Sequence, residues 1–306
     1  MKRHAVVGLI SLHVALAGSL LADTSPLARA RQDFATHLIR EMSVGEAPER
    51  PPSGVLNLVT YQGSLGAMAA YVSPSPKNGK RNPAIIWLVG GFSNSIGDIA
   101  WTPGPKQNDQ SATGFREAGI VMMSPSLRGG NQNPGHLEAF YGEVDDVIAA
   151  ARYLAQLDYV DPNRIYLGGH STGGTLALLV AASTDRFRAV FALGPVGDIR
   201  GYGQERLPFD TKNPREGNLR APQLWLDSIR RRTFVFEGTK APSNIGELRT
   251  MSGANKNSVV GFQPIPGGTH FSIIAPLVRE IARQILGDEG KTMAIEFKDL
   301  DKLVGL

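Results

Sequence analysis

The stretch Ile165-Tyr166-Leu167-Gly168-Gly169-His170-Ser171-Thr172-Gly173-Gly174 decides the fold of this chain. It opens with an apolar run that predicts a strand. It leads into Thr172–Ala182, which is apolar nearly all round and predicts a buried helix. Residues 169–173 match the pattern G-x-S-x-G, which occurs nowhere else in the chain. In that pattern the serine stands at a sharp turn between strand and helix with its hydroxyl exposed, so we predict that Ser171 is a nucleophile.

Strands and helices alternate on both sides of this stretch. A hairpin is predicted first, and the later strand runs are continuously apolar, which is typical of a parallel sheet covered on both faces. The predicted strands are Leu56–Tyr61, Ala67–Val72, Ala84–Val89, Ile120–Met123, Ile165–Leu167, Ala189–Leu193, Thr233–Phe236 and Val259–Gln263. Glu143–Leu157 and Ile273–Leu286 carry apolar stripes at helical spacing. The pattern predicts a doubly wound α/β domain with a mostly parallel sheet.

The length of 306 residues and the hydrophobic content of 42% suit one large domain, which we expect over residues 55–290. Residues 198–232, between the sixth and seventh strands, are expected to form a small cap. Its apolar side chains could line an acyl pocket or form the cap's own core; they are Leu207, Phe209, Leu224, Trp225 and Leu226. An amphipathic helix over Ala28–Met42 and a proline-rich connector are expected in residues 23–54, and a tail in residues 291–306.

The N-terminus has the order of a secretory signal. Lys2–His4 is polar, Ala5–Leu21 is almost wholly apolar, and small residues at Ala15–Ala17 and Ala22 offer cleavage points. We predict a signal over residues 1–22, an exported (periplasmic or secreted) protein, and no membrane span after its removal. The alternative is an uncleaved membrane anchor, because the run is close to the lower limit of about 17 residues for a spanning helix. His13 in its middle argues against the anchor.

The composition excludes several kinds of partner and chemistry. The formal net charge is only +4, which gives no electrostatic case for binding nucleic acid. The chain contains no cysteine, so a disulfide framework, a cysteine nucleophile and a thiolate metal site are excluded.

A serine hydroxyl needs a base to take its proton, and in the order Ser–acid–His the base follows the last strand. His270 lies there, directly after Gly267-Gly268-Thr269 and before the last predicted helix. The other histidines are placed less well; they are His4, His13, His37, His136 and His170. His170 adjoins the serine, and we expect it to pack beside the site. We predict that His270 is the general base.

Several spaced motifs resemble the catalytic domain of prolyl oligopeptidase-type (peptidase S9-like) serine hydrolases. They are Ser126-Leu127-Arg128-Gly129-Gly130, Asn133-Pro134-Gly135, Gly142-Glu143-Val144-Asp145-Asp146, Val160-Asp161-Pro162-Asn163-Arg164-Ile165 and the elbow with Gly174. The resemblance runs from about Ala84 to Pro195 and resumes near His270. It implies an α/β-hydrolase fold, a Ser–acid–His triad, and no metal or organic cofactor. Asp145 and Asp146 are interpreted as a helix-face or loop-anchoring feature rather than an acid–base pair.

Two departures from this family affect the interpretation. The β-propeller that gates its peptidases is not expected within this sequence. The family's triad aspartate usually lies a few residues after the strand that here ends Phe236-Glu237-Gly238, and no aspartate follows. We therefore predict Glu237 as the acid, because glutamate can also orient the imidazole. Asp198, after the preceding strand, is the alternative, and Glu247 is a third candidate.

An oxyanion hole needs two backbone N–H groups close to the reacting oxygen. We expect one from Thr172, after the nucleophile, and one from Gly91 or Phe92, in the loop after Ala84–Val89. The sequence thus predicts a serine hydrolase, a peptidase or carboxylesterase, that cleaves a small ester or short peptide through an acyl-enzyme. The alternative is a non-catalytic scaffold that acts as a binding protein, which the missing aspartate favours.

Overall fold

Eight strands form one sheet in the order β1-β2-β4-β3-β5-β6-β7-β8. In the computed structural model, which describes residues 25–303, β1 and β2 are antiparallel, β2 is antiparallel to β4, and the other neighbours are parallel. The strands are β1 (Asn57–Gln62), β2 (Ala67–Val72), β3 (Asn82–Leu88), β4 (Val121–Pro125), β5 (Val160–His170), β6 (Val190–Leu193), β7 (Thr233–Gly238) and β8 (Val260–Ile265). All eight predicted strands are present. The predicted signal, residues 1–22, lies outside the described residues.

The parallel strands are buried because helices cover both faces of the sheet. Alternate residues of β3 pack into two core layers: Ala84 and Ile86 face one layer, and Ile85 and Trp87 the other. The helices are α1 (Pro26–Gln32), α2 (Thr113–Glu117), α3 (Glu143–Leu154), α4 (Thr172–Ser183), α5 (Pro214–Leu219), α6 (Ile245–Ala254) and α7 (Ile274–Gly287). Helices α1, α3, α4 and α6 contribute to the first layer, and α2 and α7 to the second. This is the predicted doubly wound arrangement.

The predicted N-terminal helix over Ala28–Met42 is too long. Helix α1 ends at Gln32, and the chain beyond it runs over the surface of the domain, where Leu38 pairs with Phe209 in an isolated antiparallel bridge. A backbone bond from the N–H of Ile39 to the carbonyl of Pro208, 2.7 Å long, fixes this path. A tertiary contact therefore overrides the local helical pattern.

The segment predicted as a C-terminal tail packs against the domain. Ile295 is buried, and the ring of Phe297 lies edge-on against Phe234 and Phe236 of β7, with centroids 4.9 Å apart in both cases. Residues 291–303 thus help to cover the second face of the sheet.

The insert, residues 198–232, lies between β6 and β7 as predicted and consists of α5 and three short 3-10 helices. Leu207, Phe209 and Leu226 are buried in the first core layer, whereas Leu224 is 53% exposed. The buried apolar residues of the insert therefore pack into the core of the domain. Among residues 25–303 no helix has the length and apolar character needed to cross a bilayer.

Candidate active site

Ser171 stands at the turn between β5 and α4, with φ 55° and ψ −119°. Residues other than glycine rarely adopt such a backbone conformation. The turn is possible because two glycines let the start of α4 approach the sheet. An added Cβ at Gly169 would lie 2.5 Å from the backbone of Gly173, and one at Gly173 would lie 2.2 Å from the carbonyl oxygen of Leu88. The predicted strand–helix turn at the serine is therefore present.

His270 lies between β8 and α7, and its imidazole is paired with the carboxylate of Glu237. Nδ1 of His270 is 2.9 Å from Oε2 of Glu237, and the glutamate side chain is fully buried at the end of β7. A carboxylate only accepts, so Nδ1 is the donor of this bond, and Nε2 is the nitrogen left to act as a base.

The carboxylate of Glu237 is held by the turn that follows β7. Its Oε1 accepts from the N–H of Gly238 at 2.6 Å, and its Oε2 accepts from the N–H of Asn244 at 3.1 Å. The side-chain amide of Asn244 donates to the carbonyl oxygen of Gly194 at 3.0 Å, which links this turn to the end of β6. Two backbone donors therefore fix the carboxylate beside the histidine.

The two other candidate acids are engaged elsewhere. Both carboxylate oxygens of Asp198 accept from the guanidinium of Arg200, and Oδ1 also caps the short helix that begins at Ile199. Glu247 accepts from the N–H of Gly197 at 2.9 Å. Of the three predicted carboxylates, the structure brings only Glu237 into hydrogen-bond contact with His270.

His170 supports the backbone of His270. Its Nε2 is 2.9 Å from the carbonyl oxygen of His270, so this nitrogen carries the proton, and Nδ1 is left to accept from the side-chain amide of Gln110 at 3.0 Å. The two histidine rings lie 4.5 Å apart. Burial, with a smaller contribution from the charge of His270, lowers the pKa of His170 to about 3. His170 is thus a neutral packing group beside the predicted base.

The hydrogen bonds of the elbow pass through its backbone. The N–H of Ser171 donates to the carbonyl of Leu193 at 2.7 Å, and its carbonyl accepts from the N–H of Thr175 at 2.9 Å. The hydroxyl of Ser171 has no hydrogen-bond partner among the described residues. Catalytic hydrogen bonds are often long in enzymes without substrate and tighten when the substrate binds.

Thr172 and Gly91, two of the three predicted oxyanion residues, lie together at the start of α4. Thr172 is the first residue of the helix, where an N–H has no acceptor within the helix. Its hydroxyl donates to the carbonyl oxygen of Gly91 at 2.5 Å, which ties the loop after β3 to the helix. Gly91 has φ 106°, a conformation that favours glycine.

Asp146 anchors a loop, as the sequence predicted. Its carboxylate accepts from the backbone N–H and the guanidinium of Arg128 at 2.9–3.0 Å. Asp145 pairs instead with Arg31 at 2.8 Å. The two aspartates have separate cationic partners, so they do not form an acid–base pair.

Sequence reasoning missed Gly194, which makes room for the imidazole. An added Cβ there would lie 2.5 Å from Cε1 of His270. A glycine directly after β6, at the carboxyl edge of the sheet that carries the elbow, is the signal that could have identified it. No group of three or more histidine or carboxylate side chains that could hold a metal ion occurs within residues 25–303.

Comparison with known proteins gives a consistent family resemblance. Residues 107–225 match the family model described as "Prolyl oligopeptidase family". The "Dual function macrocyclase-peptidase POPB" of Amanita bisporigera is 30% identical over 121 residues, which cover 37% of this chain and 17% of the relative. "Dipeptidyl peptidase 8" of Mus musculus is 24% identical over 183 residues, which cover 57% of this chain and 20% of the relative.

Solved structures share the fold. A puromycin-hydrolyzing peptidase of Mycobacterium tuberculosis superposes with a TM-score of 0.61 at 20% identity, over 81% of this chain and 42% of the other. An acylaminoacyl peptidase of Pyrococcus horikoshii superposes with a TM-score of 0.58 at 12% identity, over 81% and 44%. The matched part of this chain thus spans about a fifth or less of the length of these curated relatives, and under half of the length of these solved chains. The predicted α/β-hydrolase fold and the resemblance to the prolyl oligopeptidase family are confirmed.

Proposed function

Because this chain resembles the prolyl oligopeptidase family over the segment that carries the elbow, we propose that it is a serine hydrolase that acts through an acyl-enzyme on Ser171. The observation that carries the proposal is the contact of 2.9 Å between His270 and the buried carboxylate of Glu237, at the sheet edge where the elbow lies. It supplies the oriented base that a serine hydroxyl requires.

The proposed reaction uses these groups in two stages. Nε2 of His270 takes the proton of the Ser171 hydroxyl while Oγ forms a bond to the substrate carbonyl carbon. The imidazolium then returns that proton to the leaving alcohol or amine as its bond to the carbonyl carbon breaks. A water, deprotonated by the same nitrogen, attacks the acyl-enzyme and releases the acid and the free serine. Glu237 keeps its charge and stabilises the imidazolium.

We propose that Thr172 and Gly91 supply the two N–H groups of the oxyanion hole. The N–H of Phe92 shares a trans peptide unit with the carbonyl of Gly91, and the two point in opposite directions. Since that carbonyl accepts from the hydroxyl of Thr172, the N–H of Phe92 is directed away from the start of α4. This geometry favours Gly91 over Phe92.

The proposed substrates are small esters and short peptides. The relatives named above are peptidases, which favours amide cleavage, and an acyl-enzyme mechanism serves esters equally. The insert is proposed as a cap over this site. In support, the ring of Tyr202 packs at 5.0 Å on Phe92, in the loop after β3. Export guided by residues 1–22 also stays a proposal, and N-terminal sequencing of the mature protein would test it.

A binding scaffold without activity is the competing hypothesis. It depended on the lack of a triad aspartate, and the position of Glu237 weakens that reason.

A substitution of the nucleophile tests the proposed function. Hydrolysis of p-nitrophenyl acetate and of aminoacyl p-nitroanilides would be measured for the wild type, for Ser171→Ala and for the control Ser183→Ala. Ser183 lies at the far end of α4 and donates to the carbonyl of Leu179. We expect Ser171→Ala to lose at least about a thousandfold in kcat, because nothing else can form the acyl-enzyme. Folded wild type that hydrolyses neither substrate class would favour the scaffold instead.

A further inference from the structure

A cavity of about 190 Å³ lies beside the elbow, between the loop after β3 and the start of α4. Gly90, Gly91 and Thr172 line it on the side of the predicted oxyanion groups. An added Cβ at Gly90 would lie 3.1 Å from Cβ of Ser171, so this wall of the cavity touches the nucleophile. A group bound in the cavity would therefore be continuous with a substrate at the serine.

The walls of the cavity combine apolar side chains with polar ones, among them Ser93, Asn94 and Ser95 of the loop after β3. The apolar surface comes from Leu88, Ile96, Leu127, Leu137, Phe140 and Leu176. Glu143 and Ser124 also line the cavity, and each is only 2% exposed. Oε2 of Glu143 and Oγ of Ser124 are buried and have no hydrogen-bond partner in the described part of the chain. A buried polar atom without a partner destabilises the fold, and a suitable ligand would recover that loss.

The other oxygen of Glu143 is fully engaged, so the carboxylate is held in place. Its Oε1 accepts from the side-chain amide of Asn94 at 3.0 Å and from the N–H of Glu138 at 2.7 Å. These bonds fix the side chain at the start of α3 while Oε2 stays free. No donor among the described residues satisfies that oxygen.

The charges around Glu143 favour a cation. Arg128 is paired with Asp146 at 2.9 Å and with Glu138 at 2.5 Å, and the fully buried Arg220 is paired with Glu216 at 2.6 Å. With Glu143, four carboxylates thus face two guanidinium groups. Burial raises the pKa of Glu143, which means that its charged form lacks adequate compensation. A positive group against Oε2 would supply it.

We propose that this cavity is a substrate pocket that binds a short apolar arm ending in a primary ammonium group, with the ammonium against Glu143 and Ser124. The size fits such an arm, because a cavity of roughly 150 Å³ can hold a benzene ring of six carbons. The pocket rests on the proposed hydrolase function only for its role in substrate choice. Its ligand chemistry can be tested without catalysis.

Binding of n-pentylammonium tests the pocket directly. Isothermal titration calorimetry would compare the binding of n-pentylammonium with that of neutral n-pentanol. Three proteins would be used: the variant Ser171→Ala and two double variants that add either Glu143→Gln or Glu117→Gln to it. Glutamine keeps the acceptor for Asn94 and Glu138 but removes the charge. Glu117 is exposed on α2 and provides the matched control. We expect n-pentylammonium to bind at least tenfold more tightly than n-pentanol. Glu143→Gln should abolish that preference, whereas Glu117→Gln should leave it unchanged. Equal binding of the two probes, or a preference that survives Glu143→Gln, would overturn the pocket.

Ester pairs then show which side of the scissile bond enters the pocket. In the acyl pair, p-nitrophenyl 6-aminohexanoate is compared with p-nitrophenyl heptanoate; in the alcohol pair, 5-aminopentyl acetate is compared with hexyl acetate. We expect one pair to show at least a tenfold preference in kcat/KM for the ammonium ester, and Glu143→Gln to remove it. Hydrolysis without preference in either pair would refute the pocket while leaving the nucleophile intact. Ammonium binding without any hydrolysis would support the pocket and refute the hydrolase.

Discussion

At the scale of single residues, the site consists of a serine held by its own strand and helix and a carboxylate held by the turn after β7. The position of Ser171 depends on a strand, a helix and two glycines that are all within twenty residues of it, so a local pattern was enough. The choice between Glu237 and Asp198 depends on where the turn after β7 and the side chain of Arg200 lie. Asn244 and Gly238 hold one carboxylate beside His270, and Arg200 holds the other away from it. No local pattern contains those contacts.

Removal of the charge of Glu237 should impair catalysis far more than removal of that of Asp198. We expect Glu237→Gln to lower kcat by about a thousandfold or more, because the amide no longer stabilises the imidazolium and can favour the wrong tautomer. Asp198→Asn should stay within a few-fold of the wild type. Steady-state kinetics with p-nitrophenyl acetate measure both. Similar losses for the two variants would exclude Glu237 as the specific partner.

The neutral His170 should make the fold sensitive to acid. Its pKa is about 3 in the fold and near the ordinary 6.5 in the unfolded chain, so the unfolded chain binds the extra proton between these values. The contribution of neutral His170 to the free energy of unfolding is complete above pH 6.5. It is lost as the pH falls toward 3, by up to about 1.4 kcal/mol per pH unit.

Urea unfolding at pH 7 and pH 4.5 tests this loss in matched histidine variants. The difference between the two pH values should shrink in His170→Gln, which cannot titrate but keeps a donor. It should not change in His37→Gln, which alters an exposed histidine. If the difference in stability between pH 7 and pH 4.5 is unchanged in His170→Gln, the acid sensitivity does not come from the lowered pKa of His170.

At the scale of elements, periodicity predicted the strands and the main helices but misjudged the N-terminal segment. The predicted strands pair in the observed sheet because their apolar runs can be buried on both faces only there. The residues after Gln32 have a helical pattern as well, yet Leu38 bridges to Phe209, more than 150 residues away. Such a distant partner leaves no sign in a window of a few residues.

The glycine at the start of α4 should be far less tolerant of a methyl group than a glycine in an open helix. Gly173→Ala places Cβ against the carbonyl of Leu88, so we expect a loss of at least about 2 kcal/mol in the free energy of unfolding. Gly253→Ala in α6 meets no atom within 4 Å and should be neutral or stabilising by about 0.5–1 kcal/mol. Denaturant titrations of both proteins decide this, and equal stabilities would contradict the close approach of α4 to β3.

At the scale of the whole molecule, the insert is fastened to the domain by a buried cation that the sequence did not single out. The guanidinium of Arg220 donates to the carbonyls of Glu138 and Ala139 and to the hydroxyl of Thr36, in addition to its pair with Glu216. The N-terminal segment, the loop before α3 and the insert therefore meet at one side chain. Arg220 lies 82 residues from Glu138 and 184 residues from Thr36 in the sequence. Pattern analysis therefore treated the three segments as independent.

Loss of Arg220 should destabilise the fold strongly. We expect Arg220→Met to lower the free energy of unfolding by about 3–5 kcal/mol, because the buried carboxylate of Glu216 loses its cationic partner. Adding Glu216→Leu should recover part of this loss. Arg231→Met, which breaks an exposed pair with Asp185, should cost under about 1 kcal/mol. Thermal and urea unfolding give these values, and a small loss in Arg220→Met would mean that the insert is held by other contacts.

The most direct test of the acyl-enzyme account is the mass of the protein after reaction with a fluorophosphonate, followed by peptide mapping. Each wild-type molecule should gain one phosphonyl group, located on Ser171, while Ser171→Ala gains none and Glu237→Gln reacts much more slowly. A folded wild type that gains no adduct, or an adduct located on another residue, would contradict the central claim.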